Sequence, residues 1–272
     1  MERRYRIPTP EGPLHAVRWS PPAATVGTGP IVLMHDSLGC VSLWRDFPER
    51  LARSLGRPVV AYDRLGYGQS APYPGPQPAS FIADEPHGDF TTVRDHLGFE
   101  RFILLGHSVG GCMATTTAGQ HRDACEALIT LAAPAFTEPR TLAGIREAER
   151  GFAHPEQMAR LARHHGDKAS WVLRSWVETW HSEAFRHWRL DDALARVHCP
   201  TLALHGEHDE YGSRAQAERI AALTAGPAEA RILPDCGHVP HRECPDQVIT
   251  AVAAFLETLP GAHLTQRGNK AR

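Results

Sequence analysis

Three widely separated side chains in this sequence have the types and spacing for nucleophilic attack on a carbonyl. The first is Ser108, set in Gly106, His107, Ser108, Val109, Gly110, with Gly111 beyond. A serine hydroxyl is a weak nucleophile until a base takes its proton. The usual base is a histidine, itself oriented by a carboxylate. Leu104 and Leu105 before the motif predict a strand, and the residues after Ser108 predict a helix. G-x-S-x-G then falls on a sharp strand-to-helix turn, where the serine backbone is strained and its Oγ stands clear of the sheet edge. Gly106 and Gly110 keep the flanking chain small enough for the turn to close. The helix brings the Val109 N–H beside Ser108, where it can bind a developing oxyanion.

Acid and base are sought downstream, in the order serine, acid, histidine. Thr201, Leu202, Ala203, Leu204, His205 and Gly206 read as a short buried strand, and Asp209 falls just past its end. Ala230, Arg231, Ile232, Leu233 and Pro234 read as another strand, followed by Asp235, Cys236, Gly237 and His238. All three candidates thus lie beyond the carboxyl ends of strands, the edge at which open α/β sheets keep their ligand crevice. Ser108, Asp209 and His238 are the candidate nucleophile, orienting acid and base. Glu207 and Glu210 flank Asp209 as rival carboxylates. His241 is a rival base, although it follows Pro240 and starts the next helical segment.

The elements that must position these residues alternate along the chain. Hairpin strands are expected at 4–8 and 14–19, then strands at 30–34, 58–62, 101–105, 126–132, 201–205 and 229–233. Helices are expected at 43–55, with Leu43, Phe47, Leu51 and Leu55 on one face, at 109–121, 213–224 and 245–258. Residues 71–78 are a proline-rich loop, and 79–97 read as helical but broken near Pro86, His87 and Gly88. Such alternation predicts an α/β fold: a mostly parallel, doubly wound sheet covered on both faces.

The ordered set of motifs resembles the α/β-hydrolase superfamily, and the likeness covers nearly the whole chain. Beyond the three candidates, Ile31, Val32, Leu33, Met34 and His35 resemble the strand before that family's oxyanion loop. Residues Tyr62 to Ser70 resemble its D-x-x-G-x-G-x-S turn. Ser37, Leu38 and Gly39 followed by Trp44 have a local likeness to 3-oxoadipate enol-lactonases. The resemblance implies that the Ser37 backbone N–H is the second oxyanion donor. One departure stands out: many relatives carry His-Gly here, and this chain has His35 and Asp36. A carboxylate at Asp36 opposes a developing oxyanion unless it is paired or turned away. One reading has it hydrogen-bonding loop amides; the other has it positioning water or substrate.

Residues 134–197 break the alternation. They hold four of the six tryptophans, Trp171, Trp176, Trp180 and Trp188, and five histidines. An insertion at this point corresponds to the helical cap of many α/β hydrolases. The expected organisation is a core of 1–133 with 198–260, a cap of 134–197 and a disordered tail of 261–272. Trp176 and Trp180, spaced i, i+4, share a helix face, either as the cap's own core or as pocket lining. The candidate pocket residues are His35, Asp36, His107, Trp176 and Trp180.

Composition narrows the partners. An apolar fraction of 42% suffices for one large domain, and a net charge of −2 argues against nucleic acid or a membrane surface as partner. No apolar run approaches the roughly 18 residues of a membrane span. The start of the chain lacks an apolar signal segment, so a cytoplasmic location is expected. The six cysteines show no zinc-like spacing and read as reduced, mostly buried thiols. Cys236, two residues from His238, is the position where oxidation would bear on the site. No metal or organic cofactor is implied. The expected chemistry is cleavage of an ester, thioester or lactone of a small, partly apolar substrate. The same triad also serves C–C bond hydrolysis, lyase reactions and perhydrolysis, and a small-molecule receptor on the same scaffold is a non-enzymatic alternative.

Overall fold

The structure, a computed structural model, describes residues 1–22 and 29–259; the expected tail at 261–272 lies outside them. Eight strands form one sheet: β1 (Glu2–Ile7), β2 (Leu14–Trp19), β3 (Ile31–Met34), β4 (Val59–Asp63), β5 (Phe102–His107), β6 (Cys125–Leu131), β7 (Thr201–Gly206) and β8 (Ala228–Leu233). Their order across the sheet is β1-β2-β4-β3-β5-β6-β7-β8. The β1–β2 and β2–β4 pairs are antiparallel and the other five parallel.

Why the central strands are unbroken apolar runs follows from where their residues go. Successive side chains alternate between faces, and both faces are covered. Ile31 and Leu33 join one buried cluster, whereas Val32 and Met34 join another on the opposite face. Ile103 and Leu105 divide from Phe102 and Leu104 in the same way. Burying each such side chain is worth about 1.5–3 kcal/mol.

Helices α1 (Phe47–Leu55), α2 (Phe81–Asp84), α3 (Asp89–Leu97) and α4 (Val109–Gln120) precede β6. Helices α5 (Pro139–Phe152), α6 (Pro155–His165), α7 (Ala169–His181) and α8 (Asp191–Leu194) lie between β6 and β7. Helices α9 (Ala215–Leu223), α10 (Pro240–Glu243) and α11 (Pro245–Glu257) complete the chain. Leu51 of α1 and Val248 of α11 pack on one face; Phe90 of α3, Met113 of α4 and Ile220 of α9 pack on the other. Among the described residues no helix is long and apolar enough to cross a membrane.

One expected element differs. The helix expected over 43–55 begins at Phe47, preceded by a 3-10 turn over Val41–Trp44. Arg45, at φ 54°, lies in the left-handed region and breaks the helical path, and Pro48 supplies a fresh helix start. Leu43 thereby leaves the helix face and turns toward the cavity described below. The Tyr62-to-Ser70 turn braces this region. Buried Asp63 accepts the Val41 N–H at 2.6 Å and the Gln69 N–H at 2.8 Å.

Chain order reverses between β3 and β5: β3 leads to β4 on one side, and β4 returns across it to β5 on the other. The loops after these two strands therefore part and leave a crevice at their carboxyl ends. The loops after β7 and β8 open at the same sheet edge.

Candidate active site

Ser108 sits between β5 and α4 with φ 53° and ψ −126°. A non-glycine residue in this conformation is held against its preference, by about 1–3 kcal/mol. The surrounding contacts impose it: the Ser108 N–H donates to the Leu131 carbonyl at 2.8 Å, and the Gly111 N–H donates to the Ser108 carbonyl at 2.8 Å. Both bracketing glycines are sterically required. A Cβ at Gly106 would lie 2.1 Å from the Gly110 carbonyl oxygen, and one at Gly110 2.1 Å from that of Met34.

His238, in the loop after β8, places Nε2 3.1 Å from Ser108 Oγ. Its Nδ1 lies 2.9 Å from each carboxylate oxygen of Asp209, in the loop after β7. A carboxylate only accepts, so Nδ1 carries the proton and neutral Nε2 faces the hydroxyl as an acceptor. Asp209 is 2% exposed, and its Oδ1 also accepts the Tyr211 N–H at 2.8 Å and the Gly212 N–H at 3.1 Å. Burial pushes the Asp209 carboxyl up, but His238, His205 and the Tyr211 amide outweigh it and hold the group below the usual range. For His238 burial lowers the pKa, yet the Asp209 hydrogen bond and charge raise it further, leaving a net upward shift. Rival Glu207 is exposed and directed toward the Asp235 N–H. Glu210, also exposed, borders the cavity without reaching His238 Nδ1.

The loop after β3 faces Ser108 from across the crevice. Among the described residues, neither the Ser37 nor the Val109 backbone N–H has a hydrogen-bond partner. Asp36 is paired: Oδ1 accepts the Leu38 N–H at 2.9 Å and Oδ2 lies 3.2 Å from His107 Nδ1. Burial raises its carboxyl pKa, but the His107 contact, by hydrogen bond and charge, leads a larger downward pull, so Asp36 is ionised. His107 Nε2 donates to the His238 carbonyl at 2.7 Å. The His107 ring thus bridges the Asp36 loop to the His238 loop. Asp36 thus holds one amide of its own loop, that of Leu38, and also borders the cavity.

A cavity of about 250 Å³ opens above Ser108. Asp36, Ser37, His107, Trp176 and Trp180 line it. His35, expected at the pocket, does not. It is 2% exposed, its Nδ1 donates to the Asp36 carbonyl at 2.8 Å, and its Nε2 accepts the Arg64 N–H at 3.2 Å. Burial and the Arg64 charge lower its pKa to about 3, so it is a neutral strut beneath the loop. The two readings of the tryptophan pair turn out compatible. Trp176 and Trp180 pack into the main core cluster and also face the cavity. Trp171, stacked on Tyr73, and Trp188, stacked on Phe185, are not part of the cavity wall.

Several wall residues were not singled out from sequence. The Tyr211 ring lies tilted against His238, with centroids 4.6 Å apart, and against Trp176 at 6.0 Å, joining His238 to the helical roof. Its place two residues after Asp209 in a strand-end turn was the available signal. Ile145 and Thr141 come from α5, and His241, considered only as a base, is wall. Its ring lies 4.3 Å from Trp44 and 4.8 Å from His107.

Comparison with known proteins agrees with this topology. The family model described as the alpha/beta hydrolase fold matches residues 29–176. Proline iminopeptidase of Lactobacillus helveticus is 22% identical over 269 residues, covering 84% of this chain and 90% of that protein. Serine hydrolase BPHL of Homo sapiens is 27% identical over 208 residues, covering 73% and 69%. The solved structure of naproxen esterase (carboxylesterase NP) from Bacillus subtilis superposes with TM-score 0.71 at 19% identity, covering 94% and 92%. With its family model matched over more than half its length on a sheet of this order, the chain belongs to the α/β-hydrolase fold family.

Proposed function

We propose that this hydrolase-family chain is a serine hydrolase cleaving an ester, thioester or lactone of a small, partly apolar substrate. The observation that carries the reading is the continuous hydrogen-bonded line from Asp209 through His238 to Ser108 Oγ, at 2.9 and 3.1 Å. Ser108 Oγ attacks the carbonyl carbon as His238 Nε2 takes its proton. The tetrahedral oxyanion is held by the Ser37 and Val109 amides, whose N–H groups are free to receive it. His238 then protonates the leaving alcohol or thiol, giving an acyl-serine. Water, deprotonated by the same nitrogen, releases the acid. Asp209 keeps Nδ1 protonated and steadies the imidazolium.

The oxyanion assignment rests on backbone groups, which sets its test. Ser37→Ala is expected to keep most activity, because the amide survives. Ser37→Pro removes that donor and is expected to cost about 10²–10³ in kcat. Circular dichroism checks that the loop change leaves the fold intact. A severe loss in Ser37→Ala would place the hydroxyl, not the amide, in the reaction.

The substrate assignment is tested with a chain-length series of acyl esters and thioesters, assayed beside a fluorophosphonate probe. With two tryptophans and Ile145 on the wall, kcat/KM should rise with apolar acyl length until the cavity is filled, by about 1–3 kcal/mol per methylene. Trp176→Ala should move the optimum to longer chains while sparing the smallest ester. A uniform fall across the series together with a lower Tm would make Trp176 a packing residue only. Probe labelling without turnover of any ester, thioester or added lactone would refute the substrate class and leave the nucleophile standing.

A further inference from the structure

The loop that delivers His238 begins and ends on a cysteine, and the two sulfurs meet. Cys236 Sγ lies 2.6 Å from Cys244 Sγ, both thiols being free and buried. A disulfide requires about 2.05 Å between sulfurs, so roughly half an ångström separates this contact from a bond. The other close pair, Cys125 and Cys199, stands at 3.7 Å. The backbone around the first pair is already fixed. The Cys236 carbonyl accepts the His208 N–H at 2.8 Å, and the Cys244 N–H donates to the Pro240 carbonyl at 3.0 Å. Between them, the Glu243 carboxylate accepts the Gly237 and Val239 N–H groups. The segment is thus a closed loop whose base is the sulfur pair.

We propose that Cys236 and Cys244 are an oxidisable dithiol, forming a disulfide at the base of the His238 loop in the presence of a peroxide. One sulfur, giving up its proton, attacks the peroxide O–O bond; a sulfenic acid and one water result. The second sulfur displaces the hydroxyl of that sulfenic acid, the S–S bond forms, and the departing hydroxide takes the second thiol proton as water. Two thiols and one hydrogen peroxide give one disulfide and two waters. Burial pushes both thiols up, so the reaction is slow unless the loop opens. Once formed, the bond locks the segment that bears His238, Val239 and His241, all of them cavity wall.

The native full chain is incubated with hydrogen peroxide, denatured and alkylated, and its free thiols are counted by mass. Six are expected before treatment and four after, with two restored by dithiothreitol. Trypsin cuts after Arg231, Arg242 and Arg267, so Cys236 and Cys244 fall in separate peptides that the disulfide must join. Cys244→Ser and Cys236→Ser should each abolish that joined pair. Six thiols persisting after peroxide, or a bond appearing between Cys125 and Cys199 instead, overturns the proposal. Fluorophosphonate labelling of oxidised and reduced protein should agree within about twofold, because the sulfurs meet while Ser108 and His238 are aligned. Loss of labelling on oxidation would show that the bond needs a different loop arrangement, and would overturn it too. The thiol count reads the same whatever reaction Ser108 performs.

Discussion

Ser108→Ala is expected to abolish fluorophosphonate labelling and to lower turnover by about 10⁴-fold or more, with secondary structure and Tm retained. In the proposed mechanism the side chain supplies the attacking atom, so no neighbour replaces it; what would remain is the contribution of the oxyanion donors and of binding. Alanine keeps the Cβ and the strained φ of 53°, so it neither relieves nor adds backbone strain. Ser108→Gly separates chemistry from strain. It should be equally inactive, yet more stable than Ser108→Ala by up to about 1–2 kcal/mol, since glycine occupies that region freely. Labelling of any other residue in the unmodified chain, or normal turnover in Ser108→Ala, would remove Ser108 from the mechanism.

Asp209→Asn is expected to cut kcat by about 10⁴-fold, the size known for the equivalent change in a serine protease. Asparagine keeps an oxygen for the Tyr211 and Gly212 amides, which donate to Asp209 now. Its amide nitrogen, however, would face His238 Nδ1 with a donor. The imidazole then takes the opposite tautomer, Nε2 carries the proton, and Ser108 loses its base. A second readout follows from charge. In the proposed mechanism activity requires neutral His238 and so is expected to rise with pH through its pKa. Burial lowers that pKa and Asp209 more than offsets it, holding the group above its ordinary value. Removing the carboxylate should therefore move the acid limb of the residual activity to lower pH. Glu207→Gln and Glu210→Gln should be mild in both respects, as neither side chain touches the imidazole. If Glu210→Gln is the crippling change, the acid has been misassigned.

Much of the fold was legible because its signals are local. Strands buried on both faces read as apolar runs, and strand-end punctuation located the loops of Ser108, Asp209 and His238. Gly106 and Gly110 were legible for a steric reason that the structure puts at 2.1 Å. The start of α1 was not, because the apolar spacing of Leu43 with Phe47 mimics a helix face while Arg45 takes a left-handed turn between them. His35 was misplaced for a related reason. Adjacency to the oxyanion loop says nothing of which way a ring turns, and Arg64, from the loop after β4, draws it inward. Tyr211 and Ile145 escaped notice as wall, and His241 was weighed only as a base, because a cavity wall is made where helices cross a sheet edge, and no spacing along the chain encodes that crossing.

The separation of the catalytic candidates along the chain has a consequence for how the molecule folds. His238 and Ser108 are 130 positions apart, and their contact depends on edge strand β8 pairing with β7. Closing so long a loop is entropically unfavourable, and folds dominated by non-local contacts form slowly. Nascent chain that has emerged only as far as α7 already contains the serine turn and much of the sheet, but not its base or acid. If Ser108 is the nucleophile proposed above, its reactivity toward an activated ester is expected to be absent while only the first two hundred residues have been made, and to begin once the strands that carry Asp209 and His238 have joined the sheet.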